Sequence, residues 1–248
     1  VSDVERFAGG ELSTPAPGVA QLTIDRPPVN ALGAETYDAL AGVLGDLGDS
    51  PDVRALVLTG AGTRAFSAGS DISEFGDPAS YARIAAASHR FFAALGGLPV
   101  PIVGALNGPA VGAGAMVAAE CDVLLASPDA HLSIPELSLG VPGSGSHSKR
   151  LAPYFKVQRM LLLGERLTVE QAVAFGTVSA IVPAERLAAA AIAVAERIAA
   201  LQPDAVQAAR AIFRAPESRA ALAGYTEELA AAVPMVSAAI ERRRLEDG

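Results

Sequence analysis

Apolar and polar residues alternate over 19–25, and the β-branched content of that run predicts a strand. The Pro27-Pro28 pair breaks it, helical spacing follows over 34–47, and 54–59 predicts a second, buried strand. A loop containing Gly and Ser over 60–76 leads to an Ala-rich helix over 80–95 and then to an apolar strand over 102–106. After Gly112 a short helix runs to 119, a strand returns over 121–126, and 131–133 forms a short β segment before Pro135. Strands and helices alternate, the pattern of an α/β fold. From 149 onward helices dominate, over 157–163, 169–175 and 186–201, with a short strand over 178–181. Two more Ala-rich helices follow Pro203 and end in the charged stretch 241–244. No repeat or low-complexity linker divides the chain. The expected organisation is an α/β core over 1–195 and a helical C-terminal subdomain over 196–248 that covers a site or pairs with another subunit.

Composition narrows the function classes. Of 248 residues, 51% are hydrophobic but only 5% aromatic, so the core is built from Ala, Leu, Val and Ile. With 27 acidic against 19 basic residues, the net charge of −8 argues against nucleic acid as a partner, and phosphates on a small ligand need a local basic pocket. Cys121 is the single cysteine, so no intrachain disulfide forms, and a buried strand position is expected for it. With only His89, His131 and His147 beside it, a metal site lacks its usual ligands. Residues 1–6 show no secretory pattern, which makes cytoplasmic residence the expectation. The uncharged run 91–119 exceeds the ~20 residues that span a bilayer, and Gly104, Gly108 and Gly112 repeat at G-x-x-x-G spacing. Pro109 within that run points to buried core and no membrane span.

Three segments could carry chemistry. In Arg64-Ala65-Phe66-Ser67-Ala68-Gly69-Ser70-Asp71-Ile72, small residues let the backbone approach a ligand, and Gly69 can turn the Ser70 N–H outward; taken alone, the segment favours an ordinary loop with a local Asp turn. In Asn107-Gly108-Pro109-Ala110-Val111-Gly112-Ala113-Gly114, a strand runs into a Gly-lined helix N-terminus whose unpaired amides favour an anion or oxyanion. A dinucleotide fingerprint fails there, because Val117 stands where the third Gly belongs. In Pro135-Glu136-Leu137-Ser138-Leu139-Gly140, Glu136 is the lone charge between Asp129 and Lys149, and apolar neighbours would raise its pKa towards neutrality.

Together, and with Arg26-Pro27, Asn30-Ala31-Leu32, Cys121-Asp122 and the helical C-terminus, these segments resemble the enoyl-CoA hydratase/isomerase family, the crotonase superfamily. The resemblance implies a spiral of strand-strand-helix units, assembled as homotrimers or hexamers. It implies that the Ser70 and Ala113 amides hold the thioester oxyanion, and that Asn30, Ala31, Leu32, Ala68, Asp71 and Ile72 line the path of coenzyme A. Coenzyme A then enters as part of an acyl-CoA or enoyl-CoA substrate, with no separate cofactor. Hydratases of the family resemble one another in using two glutamates. Here Glu136 matches one, and Met116 occupies the position of the other. Glu120 lies four residues, or ~6 Å, further along the helix and is no easy replacement.

One glutamate is similar to the arrangement in enoyl-CoA double-bond isomerases, and that reaction is the leading expectation, with hydration or acyl-CoA binding without turnover as alternatives. Dienoyl-CoA isomerases carry an additional Asp where Ser144 stands here. The stretch 142–151 runs one residue longer than the family's P-G-x-G-G-x-x-R-L pattern and introduces Ser146, His147 and Lys149; His147 faces the acyl pocket in one reading and the surface or a helix cap in another. A serine hydrolase built on Ser70 or Ser144 with His147 lacks the G-x-S-x-G elbow.

Overall fold

The computed structural model describes residues 4–246; residues 1–3, part of the stretch read for a signal, lie outside the described residues. The described residues form ten strands: β1 Val4–Phe7, β2 Gly10–Ala16, β3 Val19–Ile24, β4 Ala55–Gly60, β5 Ile102–Leu106, β6 Ala110–Val111, β7 Val123–Ala126, β8 His131–Ser133, β9 Leu167–Thr168 and β10 Ala180–Ile181. Among them run α1 Ala34–Asp49, α2 Pro78–Gly97, α3 Ala113–Ala119, α4 Gly145–Ser148, α5 Tyr154–Leu163, α6 Val169–Ala174, α7 Ala184–Ala199, α8 Pro203–Ala209 and α9 Ala215–Glu246. The main sheet has the order β1-β2-β3-β4-β5-β7-β10, and β6-β8-β9 form a small second sheet. β1 to β3 are antiparallel, whereas β3, β4, β5, β7 and β10 run parallel.

Side-chain alternation along the parallel strands sends residues into two apolar layers. Leu22, Leu56, Leu58 and Ile102 pack on one face with α1, α2 and α3. Val19, Val57, Val103 and Leu125 pack on the other against Leu187, Ala191, Ala195 and Ala199 of α7. This second layer revises the expected boundary at 195. Ala195 is fully buried beneath the sheet, so a cut there would split a helix belonging to the α/β layers. The change from strands to helices comes after β10. No helix among the described residues is long and apolar enough to cross a membrane, and the run 91–119 divides into the end of α2, β5, β6 and α3.

Cys121 is buried but precedes β7, in the turn after α3. Its sulfur packs where a side chain at Gly104 would have to stand, at 2.8 Å from a built Cβ. Burial pushes its thiol pKa up. The hairpin of β1 and β2 carried no apolar alternation to announce it, because β1 is almost wholly exposed.

The C-terminal helices are anchored by charge. A π-helical turn, Arg210–Arg214, places two buried arginines beneath the end of α3. Arg214 donates to the Glu120 carbonyl at 2.7 Å and pairs with the buried Glu120 carboxylate, while Arg210 pairs with Asp122 and donates to the Leu98 carbonyl at 3.0 Å. Removing one partner of such a pair strands the other charge in apolar surroundings. Replacing Arg214 with Met is therefore expected to cost about 3–5 kcal/mol in chemical denaturation, and adding Glu120→Gln should recover a large part of it. A single variant as stable as the wild type would show that the pair does not anchor these helices.

Candidate active site

The site begins with a backbone contact. After β4 the chain is pinned by Asn30, a buried residue at φ 55 whose side-chain amide donates to the carbonyls of Ala61 and Ala65 at 3.0 Å. Ser67 donates to the Asn30 carbonyl at 2.8 Å and accepts from the Gly69 N–H at 3.2 Å. Gly69 has φ +87, and a Cβ there would stand 2.7 Å from the Val111 carbonyl and 3.2 Å from the Ala113 nitrogen. Only glycine permits this approach. The short ladder with residue 32 uses the Leu32 N–H to the Gly69 carbonyl and the Asp71 N–H to the Leu32 carbonyl, which leaves the Ser70 N–H outside it. Ala113 is the first residue of α3, so its N–H has no intrahelical acceptor. Ser70 and Ala113 border one cavity of about 420 Å³, and the Ser70 hydroxyl is fixed by Tyr37 at 2.9 Å.

Glu136 enters the same cavity from a 3₁₀ turn, Glu136–Leu139, that begins after Pro135 and closes at Gly140 with φ 73. One carboxylate oxygen accepts from the Ser144 hydroxyl, and the other is buried without a partner among the described residues. A side chain at Gly112, whose φ is 56, would meet Glu136 Oε1 at 2.8 Å, so the carboxylate lies against the start of α3. Burial raises the Glu136 pKa to about 7; the Ser144 hydrogen bond opposes the rise and Glu228 adds to it. Ser144 sits at φ 66, next to a turn tied down where the Ser146 N–H and hydroxyl both donate to Glu228 at 2.7 Å. Met116 lines the cavity from α3 and is 1% exposed, whereas Glu120 lies outside the cavity lining in the pair with Arg214.

Of the residues expected along the coenzyme A path, Ala31, Ala68, Asp71 and Ile72 border the cavity. Asn30 and Leu32 do not; both side chains are buried behind it, and that of Asn30 is consumed in holding the loop. Arg26 binds the Ala31 carbonyl and pairs with Asp71, which clips the two segments together. Burial alone would raise the Asp71 pKa, but the hydrogen bonds from Ser73 and the Arg26 guanidinium outweigh it and hold the carboxyl low. Among the described residues, no Lys or Arg lines the cavity.

His147 takes neither of its expected places. It is 1% exposed and packs between Phe92 and Tyr225, with ring centroids 4.8 and 5.4 Å away and Glu120 at 4.0 Å. Burial lowers its pKa to about 4, so it is neutral at pH 7. A cavity wall comes from α2 and α9, through Tyr81, Ser88, Tyr225 and Leu229; the sequence suggests that the C-terminal helices cover a site but names none of these residues and no part for α2. Tyr81, Ile84, Ala85 and Ser88 do recur at one-face spacing, but that signal is the same for a core face and for a pocket wall.

A family model described as enoyl-CoA hydratase/isomerase matches residues 15–243. The chain is 33% identical over 201 residues to a (7aS)-7a-methyl-1,5-dioxo-2,3,5,6,7,7a-hexahydro-1H-indene-carboxyl-CoA hydrolase of Mycobacterium tuberculosis, covering 80% of this chain and 81% of that one. It is 34% identical over 212 residues to the carnitinyl-CoA dehydratase of Proteus mirabilis, covering 84% and 81%. Its fold is similar to the crystal structure of an enoyl-CoA hydratase/isomerase from Mycobacterium paratuberculosis, with a TM-score of 0.83, 27% identity, and 95% and 93% of the two chains covered. The family match over most of the chain and the relatives at 33% and 34% identity show that the chain belongs to the enoyl-CoA hydratase/isomerase family, the crotonase superfamily.

Proposed function

We propose that the protein shifts the double bond of an enoyl-CoA thioester by proton transfer through Glu136. The observation that carries this reading is that Glu136 is the one carboxyl on the cavity wall without a cation beside it, while Met116 fills the place of a second acid. The thioester carbonyl accepts from the Ser70 and Ala113 amides, each preorganised donor of this kind being worth about 2.7–4 kcal/mol. Glu136 takes a proton from the α-carbon of a β,γ-enoyl-CoA, electron density moves onto the carbonyl oxygen as the enolate forms, and the proton returns to the γ-carbon. The double bond now lies between the α- and β-carbons. The side chain of Met116 keeps apolar surface where an activated water would otherwise stand. The names of the relatives, a dehydratase and a hydrolase of CoA thioesters, support the substrate class and leave the reaction to the site. Exposed Tyr154, Phe155, Leu162 and Leu163 on α5, with Ile212 and Phe213, support the assembly as trimers or hexamers.

Three outcomes test the reading. Glu136→Gln should lower isomerisation of β,γ-enoyl-CoA by about 10²–10⁴-fold while isothermal titration still detects acyl-CoA binding; unchanged turnover, or efficient water addition to α,β-enoyl-CoA by the wild type, overturns it. Because the base acts only when ionised, kcat/KM should rise with pH through about 7 and level off above it; a profile flat from pH 5 to 9 contradicts this. The same raised pKa favours the folded protein while Glu136 is protonated. That stability is fully present below the ordinary value of 4.5 and is lost as pH rises through about 7. Glu136→Gln, which stays neutral, should thus gain on the order of 3 kcal/mol over the wild type between pH 4 and pH 8. Denaturation midpoints that stay parallel across that range would show that the carboxyl is not destabilised by burial.

A further inference from the structure

The wall built by α2 and α9 carries three hydroxyls that the proton transfer does not use: Tyr81, Ser88 and Tyr225. Ser88 and Tyr225 satisfy each other. Ser88 donates its single hydroxyl hydrogen to the Ala85 carbonyl at 2.8 Å, so it receives the Tyr225 hydroxyl at 2.8 Å as an acceptor. Tyr81 is different. It is 4% exposed, packs edge-on against Phe75 at a centroid distance of 4.8 Å, and its hydroxyl has no partner among the described residues. Because Tyr81 borders the cavity, that hydroxyl is a donor left open to a ligand, whereas Phe would offer the same ring surface with no donor.

The surroundings say what kind of group would satisfy it. Ile84, Leu139, Val141 and Leu229 make the adjoining surface apolar, as an acyl chain requires. Among the described residues, the only charged side chains in the lining are the carboxyls of Asp71 and Glu136, so a ligand carboxylate would meet repulsion and no cation. Burial raises Tyr81 to about 12 and Tyr225 higher, which keeps both as neutral donors at any working pH.

We propose that the acyl group of the substrate carries a neutral oxygen, a ketone or a hydroxyl, which accepts the Tyr81 hydroxyl hydrogen beside the Ser88 and Tyr225 pair. This rests on the acyl-CoA reading of the cavity and names the substrate class within it. Tyr81 is thus a specificity determinant, separate from the proton transfer at Glu136.

The test is the dissociation constant of hexanoyl-CoA, of oxohexanoyl- and hydroxyhexanoyl-CoA isomers with the oxygen moved along the chain, and of adipoyl-CoA as the charged counterpart, measured by isothermal titration. The best oxygenated isomer should bind the wild type about tenfold tighter than hexanoyl-CoA, and adipoyl-CoA should bind more weakly than hexanoyl-CoA. In Tyr81→Phe, which keeps the ring contact with Phe75, the ratio of oxygenated to plain affinity should fall to within about twofold of unity. If hexanoyl-CoA binds and no oxygenated isomer binds tighter, or if the ratio survives in Tyr81→Phe, this inference fails and the acyl-CoA reading stands. If none of these thioesters binds, both fail together.

Discussion

The site depends on two stretches of backbone touching where side chains would normally intervene. Residues 67–70 lie against the first turn of α3 closely enough that a Cβ at Gly114 would stand 2.3 Å from the Ser67 carbonyl. The Val111 N–H closes the contact by donating to that carbonyl at 2.9 Å. Three glycines, 69, 112 and 114, make the approach sterically possible, and two of them also occupy left-handed φ that other residues adopt only with strain. The outcome is more than close packing. When the backbone itself forms the wall of a cavity, its amides become the polar groups of that wall, and their positions are fixed by the parallel strands β4 and β5 that feed the two stretches. The donors do not need to reorganise when charge appears, which is the physical content of preorganisation.

That arrangement also bears on the proposed role of a single buried glutamate. A carboxylate in an apolar cavity is destabilised, and the start of α3 beside it only partly compensates, since a helix of seven residues has a modest field. Burial prevails, and Glu136 is poised near neutrality. In the proposed reaction its negative charge moves to the thioester oxygen as the proton moves to Glu136. The number of negative charges in the cavity is unchanged by the transfer, and the charge that moves shifts from a group with one hydroxyl donor to one with two amide donors. A second carboxylate at position 116 would add like-charge repulsion to both states.

The sequence made these elements legible to different degrees, for physical reasons. Strands β3, β4 and β5 and helices α1 and α2 have strong apolar periodicity and were predicted to within a few residues. The glycine-bounded segments around Ser70 and Ala113 were readable because close backbone approach leaves a compositional trace. Buried partners of opposite character leave none: the role of α7 as the second layer under the sheet looks, in sequence, like any amphipathic helix. Asn30 was placed in the binding path because its position is recognisable, whereas its hydrogen bonds to Ala61 and Ala65 span more than thirty residues and exist only in the fold. His147 illustrates the same limit, since its neighbours Phe92 and Tyr225 are remote in sequence.

Phe92, His147 and Tyr225 have a further consequence for how charge is distributed. They form an aromatic layer, with Tyr225 on the cavity and His147 4.0 Å from the Glu120 carboxylate. On one side lie the paired ions of Glu120, Asp122, Arg210 and Arg214, and on the other the cavity with Glu136. Met116 and Glu120 are one helical turn apart, with Met116 on the cavity and Glu120 in the charged cluster. Arg214 binds Glu120 through both its carbonyl and its carboxylate, and α9 carries the next residues of the same anchor straight into the cavity wall at Tyr225 and Leu229. One attachment therefore fixes both the ion cluster at the end of α3 and the cavity wall that α9 supplies.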